Sequence, residues 1–302
     1  MPSAEEEVWR YSRIAELDMD EFAPVLEPSS SAGLLSSLQP LLDAVGERAG
    51  LVLSVNGHLS EVEPVGGRVE LRGAAEMPEG EELLSRADAP SDAFGHLNAA
   101  FQADGIVLRV PSGVVVEKPV VILHWIDAEG GAVFPHTVVQ AGEASQVTVV
   151  EVLASPEDVR ALVAPVVALD AHPAANLRYL NVQQFGSRVW QFAYQGSHVD
   201  RDATLHSSMV ALGGEYARVR ADSRLVGQGA TSNLLAVYFG DGRQMHDFRT
   251  MQDHDAPKTT SDLLFKGAVE DSAESVYTGL IRVKKGAAGT RAFQTNRNLV
   301  LS

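Results

Sequence analysis

Along most of this chain apolar and polar residues alternate singly, the period-two pattern of half-buried strands. Gln146-Val147-Thr148-Val149 and Arg218-Val219-Arg220-Ala221-Asp222-Ser223-Arg224-Leu225 show it plainly. The pattern predicts strands at Ile106–Val110, Val120–Trp125, Val133–Val139, Val147–Val152, Asn176–Gln184, Val189–Tyr194 and Thr204–Leu212. The spans between Gly/Ala turns after residue 210 extend the series. Small turns recur before the strands: Gln140-Ala141-Gly142-Glu143-Ala144, Gly213-Gly214-Glu215-Tyr216-Ala217, Gly227-Gln228-Gly229-Ala230 and Lys285-Gly286-Ala287-Ala288. Helix-length amphipathic segments are missing between them, which argues against βαβ units. Two-residue hairpin signals are scarce (Asp241-Gly242 is the main one), which disfavours an antiparallel sandwich. A stacked β-solenoid fits best.

The first hundred residues read differently. Val8, Trp9, Ile14, Leu17 and Phe22 lie among charges in Glu5–Phe22, predicting a short amphipathic helix or helix-turn, broken at Pro24, Pro28 and Ser29-Ser30-Ser31. Leu34, Leu35, Leu38, Leu41, Leu42 and Val45 have helical spacing. Leu51–Val55 enters a tight turn at Asn56-Gly57, with Val69-Glu70-Leu71 as its expected partner. Asp92 is the candidate N-cap of a helix reaching Ala103, and Gly105 its stop. Ser155–Val163 reads as a helical interruption later on. The expected division is an N-terminal α/β region over residues 1–105 and a β-helix core domain over residues 106–302.

Composition narrows the function. The 302 residues carry 24 Lys and Arg against 40 Asp and Glu, a formal net charge of −16. That balance repels phosphate backbones and anionic lipid, so neither nucleic acid nor a membrane is an expected partner. No apolar run is long enough to span a bilayer, and the acidic start Met1-Pro2-Ser3-Ala4-Glu5-Glu6-Glu7 is unlike a signal peptide, so a cytoplasmic location is expected. With no cysteine, the chain has no thiolate for metal ligation or nucleophilic catalysis.

Several stretches resemble the SufB/SufD family. Glu7-Val8-Trp9-Arg10-Tyr11-Ser12 is similar to the N-terminal E-x-W-R-Y-[ST] segment of SufD proteins. Pro111-Ser112-Gly113-Val114 and Glu117-Lys118-Pro119-Val120-Val121-Ile122 resemble the entry into the family's core domain. His254-Asp255-Ala256-Pro257-Lys258-Thr259-Thr260-Ser261, continuing through Leu264-Phe265-Lys266-Gly267, is similar to the H-x-A-P-x-T-x-S…[LY]-[FY]-K-G signature. Tyr277-Thr278-Gly279-Leu280-Ile281 and Gln294-Thr295-Asn296-Arg297-Asn298-Leu299-Val300-Leu301-Ser302 resemble its continuation. The resemblance implies a right-handed parallel β-helix and a non-catalytic subunit of an iron–sulfur cluster assembly scaffold. Its implied partners are a SufB-like subunit and a SufC-like ATPase, with the iron–sulfur cluster on the assembled complex. The family pattern runs on past Ser302 into a C-terminal helical domain with SufC-docking helices and a Cys-x-His element, so this chain is expected to lack those.

The remaining chemistry is sparse. His246-Asp247 and Asp253-His254-Asp255 form the densest ionisable cluster, and His246 and His254 are the candidate metal ligands, since imidazole with carboxylate suits ferrous iron. No third ligand sits at a recognisable spacing, so a turn shaped by His254-x-x-Pro257 is the preferred reading. Asn296 and Asn298 share a strand face and suggest a stacked amide ladder. Trp9 and Tyr11 read as core anchors. His124, His136, His172, His198 and His206 are scattered and read as structural, while Lys258 and Lys266 read as solvated. No G-x-S-x-G, Gly-rich phosphate loop or H-E-x-x-H occurs, so no catalytic residue is expected. The alternative is a carbohydrate-active β-helix hydrolase or lyase using Asp253, Asp255 and Asp262.

Overall fold

A computed structural model describes residues 2–3, 5–28, 34–86 and 92–301. The Ser29-Ser30-Ser31 break and Ser302 lie outside the described residues. The N-terminal part holds β1 (Ala23–Pro24), α1 (Leu34–Val45), β2 (Gly50–Val55), β3 (His58–Glu63), β4 (Glu70–Gly73), α2 (Gly80–Arg86) and α3 (Ala93–Phe101). From Ile106 onward only strands and turns follow. They begin with β5 (Ile106–Val110), β6 (Val120–Trp125), β7 (Gly131–Val133), β8 (His136–Ala141), β9 (Gln146–Ala154) and β10 (Ala161–Val163). Next come β11 (Val166–Ala171), β12 (Asn176–Gln184), β13 (Val189–Val199), β14 (Thr204–Ala211) and β15 (Tyr216–Leu225). The last are β16 (Thr231–Gly240), β17 (Met245–His254), β18 (Thr260–Val269), β19 (Glu274–Val283) and β20 (Arg291–Val300).

These strands wind into a β-solenoid of about 7 turns. Each turn gives one strand to each of two sheets, and neighbouring turns pair in parallel. One sheet runs β5-β8-β11-β13-β15-β17-β19; the other runs β2-β6-β9-β12-β14-β16-β18-β20. Equivalent positions stack in columns, such as Val138, Ala168, Gly196, Asp222, Met251 and Leu280. Alternate residues of both sheets meet in the lumen, where Val, Leu and Ala fill the first turns and Tyr238, Phe248 and Phe265 the later ones.

The recurring Gly/Ala turn makes one corner of the coil. Ala144, Ala174, Asp202, Gly229 and Lys258 occupy equivalent corners and all have φ between +54° and +77°. Each donates its N–H to the turn stacked on it, as Ala144 does to Pro173 O and Gly229 to Pro257 O. Left-handed backbone is easiest for glycine and Asp, as at Gly229 and Asp202, while Ala144, Ala174 and Lys258 adopt it with a Cβ.

Four local expectations change. Glu5–Phe22 is not one helix but three 3₁₀ turns, Glu7–Trp9, Ile14–Glu16 and Met19–Glu21. Sheet arginines take its carbonyls: Arg218 donates to Val8 O and Arg249 to Arg10 O. Ser155–Val163 is not helical; it is a loop leading into β10, which pairs in parallel with β7 and β13. Val133–Val139 splits at Phe134-Pro135 into β7 and β8. The partner of β2 across Asn56-Gly57 is β3, while β4 lies antiparallel to β5.

Candidate functional site

The structure does not bring His246 and His254 together. They occupy opposite ends of β17, about 26 Å apart at strand rise. His254 is fully buried, with Nδ1 2.7 Å from Thr259 Oγ1 and Nε2 3.0 Å from Ser261 Oγ, so both ring nitrogens are committed to the H-x-A-P-x-T-x-S turn. His246 donates from Nε2 to Phe239 O at 3.0 Å, and burial depresses its pKa. No group of three His, Asp or Glu side chains is placed to hold a metal among the described residues. Of the proposed carboxylates, Asp253 and Asp255 lie together in an ion-pair network and Asp262 lies apart from them. Asp253 pairs with Arg282 and Lys284, Asp255 with Lys284 and Arg224, and Asp262 lies exposed on the other sheet. The hydrogen bond from Arg282 holds the Asp253 carboxyl below the usual range, which suits an ion pair and not a proton donor. Asn296 and Asn298 form no ladder: Asn296 stacks beneath Phe265, and Asn298 accepts from Tyr238 OH.

Sequence reasoning missed the most unusual polar group, Glu151. Its signal was a charge in the inward register Val147-Val149-Glu151-Leu153 of β9. The carboxylate is buried in the lumen, 1% exposed. Oε1 accepts from His124 Nε2 at 2.9 Å and Thr137 Oγ1 at 2.7 Å, while Tyr179 OH donates to Oε2. Burial opposes ionisation, but the donors outweigh it and the pKa falls below the usual carboxylate value. The same contacts, with desolvation first, push the Tyr179 hydroxyl well up. Three strands of three coils, β6, β9 and β12, are thereby tied to β8 through one charge.

His136 faces outward beneath α3. Asn98 donates to Pro135 O and Ala164 O, both at 2.8 Å, which leaves its Oδ1 as the acceptor facing His136 Nδ1 at 2.9 Å. His136 is therefore the Nδ1–H tautomer, and burial lowers its pKa to about 4.

A second ionic centre fixes the N-terminal motif. Asp247 is fully buried and accepts from Arg218 Nη1 at 2.7 Å, Tyr216 OH at 2.9 Å and Arg249 Nε at 2.6 Å. Arg218 lies 4.0 Å over the Trp9 ring, and its Nη2 donates to Val8 O at 2.6 Å. Trp9 packs against Phe94 and Phe192, which stack at 3.6 Å. Trp9 is the anchor expected of it; Tyr11 is not, being 67% exposed.

The last coil is the most open part of the solenoid. On β19 and β20, Leu280, Val283, Phe293, Leu299 and Val300 are all more than half exposed. No described strand pairs with the far edge of either.

Residues 124–302 match the family model described as "SUF system FeS cluster assembly, SufBD core domain". An iron–sulfur cluster assembly SufBD family protein of Mycobacterium tuberculosis is 28% identical over 237 residues, covering 74% of this chain and 57% of that protein. One from Staphylococcus saprophyticus is 26% identical over 222 residues, covering 72% of this chain and 48% of its own length. The chain thus spans about half the length of the curated relatives it matches. No helix among the described residues is long and apolar enough to cross a membrane.

Proposed function

Since the chain belongs to the SufBD family of iron–sulfur cluster assembly proteins, we propose that it serves in cluster assembly as a non-catalytic, SufD-like scaffold subunit. Its partners in this reading are a SufB-like subunit and a SufC-like ATPase, and the cluster is cargo of the complex. The observation that carries the proposal is the family match over 124–302, which covers the later coils down to the exposed β19 and β20.

The SufD-like assignment is favoured by Glu7-Val8-Trp9-Arg10-Tyr11-Ser12, whose Trp9 and backbone clasp Arg218 and Arg249 of the core. The 302 residues contain no cysteine, so none of them supplies a thiolate to the cluster.

The test is co-expression of tagged chain with the SufB-like and SufC-like proteins of the same cell, followed by affinity capture and native mass spectrometry. A ternary species is expected. Capture of the chain without either protein counts decisively against the assignment.

A further inference from the structure

The outer face of the sheet containing β2, β6 and β9 is covered by α1, but its apolar columns do not stop where α1 stops. Leu51, Val121 and Val150 form one column and Leu53, Leu123 and Val152 the next, with Leu38 and Leu42 of α1 packed over them. The first column continues through Leu180, Ser208, Leu235 and Leu264, and the second through Val182, Val210 and Val237. Beside them Phe239 extends the stripe. Leu235, Val237 and Phe239 are 41%, 45% and 37% exposed, outward positions where a solvated sheet carries polar residues. The second column ends in Lys266 and Arg297, both exposed and without an ion pair among the described residues.

We propose that this stripe, from β12 to β18, is the docking site for an amphipathic helix of a partner protein, one with an aliphatic face and an acidic residue at the end meeting Lys266 and Arg297. Continuity with the α1 interface carries the choice of occupant. α1 has 12 residues, about 18 Å, and shares one apolar cluster with Val150 of β9 and Val182 of β12, from which the bare columns continue. The four strands β12, β14, β16 and β18 span about 14 Å at strand spacing, so the bare stripe takes a helix of similar length on the same columns. The cations at its end fix the helix direction. The proposal rests on this sheet and not on the cluster-assembly reading.

The probe is a synthetic, end-capped, fluorescent helix of about 14 residues, with leucine at i, i+3, i+4, i+7, i+8 and i+11 and two glutamates at one end. Controls replace the leucines by serine or the glutamates by lysine. Anisotropy titration of the full chain should show saturable binding of the leucine/glutamate helix only. Leu235→Asp with Val237→Asp should weaken it about tenfold or more, with the far-UV spectrum unchanged. Lys266→Glu should weaken the glutamate helix and strengthen the lysine one. Absent binding, equal binding of the serine helix, or no response to either set of substitutions overturns the proposal. So does sedimentation showing a wild-type dimer that the double substitution dissociates, since the occupant is then a second copy.

Discussion

Glu151→Gln is the most informative single perturbation of the fold. The carboxylate collects three donors, from His124, Thr137 and Tyr179, and is buried in the lumen. The amide keeps the shape but brings two donors into a site already full of them, and removes the anionic acceptor that His124, Thr137 and Tyr179 share. Leaving a buried polar group without its partner costs about 1–3 kcal/mol, a large part of the roughly 5–15 kcal/mol that holds a typical domain. Urea unfolding at neutral pH, read by far-UV circular dichroism and Trp fluorescence, measures it. The pH dependence supplies an internal control. The pKa of Glu151 is lowered in the folded chain, so its stabilisation is present above the ordinary value of 4.5 and is lost as pH falls through the lower folded value. The Gln variant should lack that part of the acid response. A loss of less than about 1 kcal/mol at neutral pH refutes the reasoning, because a hydrogen-bonded buried charge cannot be removed so cheaply.

Other outcomes follow from the same contacts. His136 binds its proton at about 4 when folded against 6.5 when free, so the unfolded state takes up more protons between those values and stability falls as pH drops from 6.5 toward 4; the gap is worth roughly 3 kcal/mol, and His136→Gln should flatten urea midpoints across that window. Arg218→Leu removes the clasp on Val8 and Trp9 and should make trypsin cut early after Arg10 and Arg13, while cleavage within the coils stays slow. Gly213→Ala places a methyl against the carbonyl oxygen of Phe185 on the neighbouring coil and should cost about 1–3 kcal/mol, seen as a lower melting temperature.

The coil was largely legible in the sequence because strand and corner both repeat. Val147–Val152 and Asn176–Gln184 read correctly from alternation alone, and the corner at Ala144 from its small-residue phrase. Glu5–Phe22 misled because its helical spacing comes from docking Trp9 and Ile14 on a sheet, with Arg218 and Arg249 claiming carbonyls a helix would use. Ser155–Val163 misled because a three-residue strand, Ala161–Val163, is too short to show a period. His246 and His254 looked like one cluster in sequence, yet extended backbone carries residues of the same strand steadily apart. Glu151 escaped notice because its partners come from three other strands, and only the register joins His124, Thr137 and Tyr179 around it. The apolar stripe past α1 was invisible for a similar reason: each strand contributes one or two unremarkable aliphatic residues, and the stacking makes the column.

The central claim, participation in iron–sulfur cluster assembly, is tested most directly in cells depleted of this chain. Incorporation of radioactive iron into immunopurified iron–sulfur proteins should fall while total cellular iron holds, and the wild-type chain should restore it. Unchanged incorporation under full depletion, with no second SufD-like protein in the cell, contradicts the account.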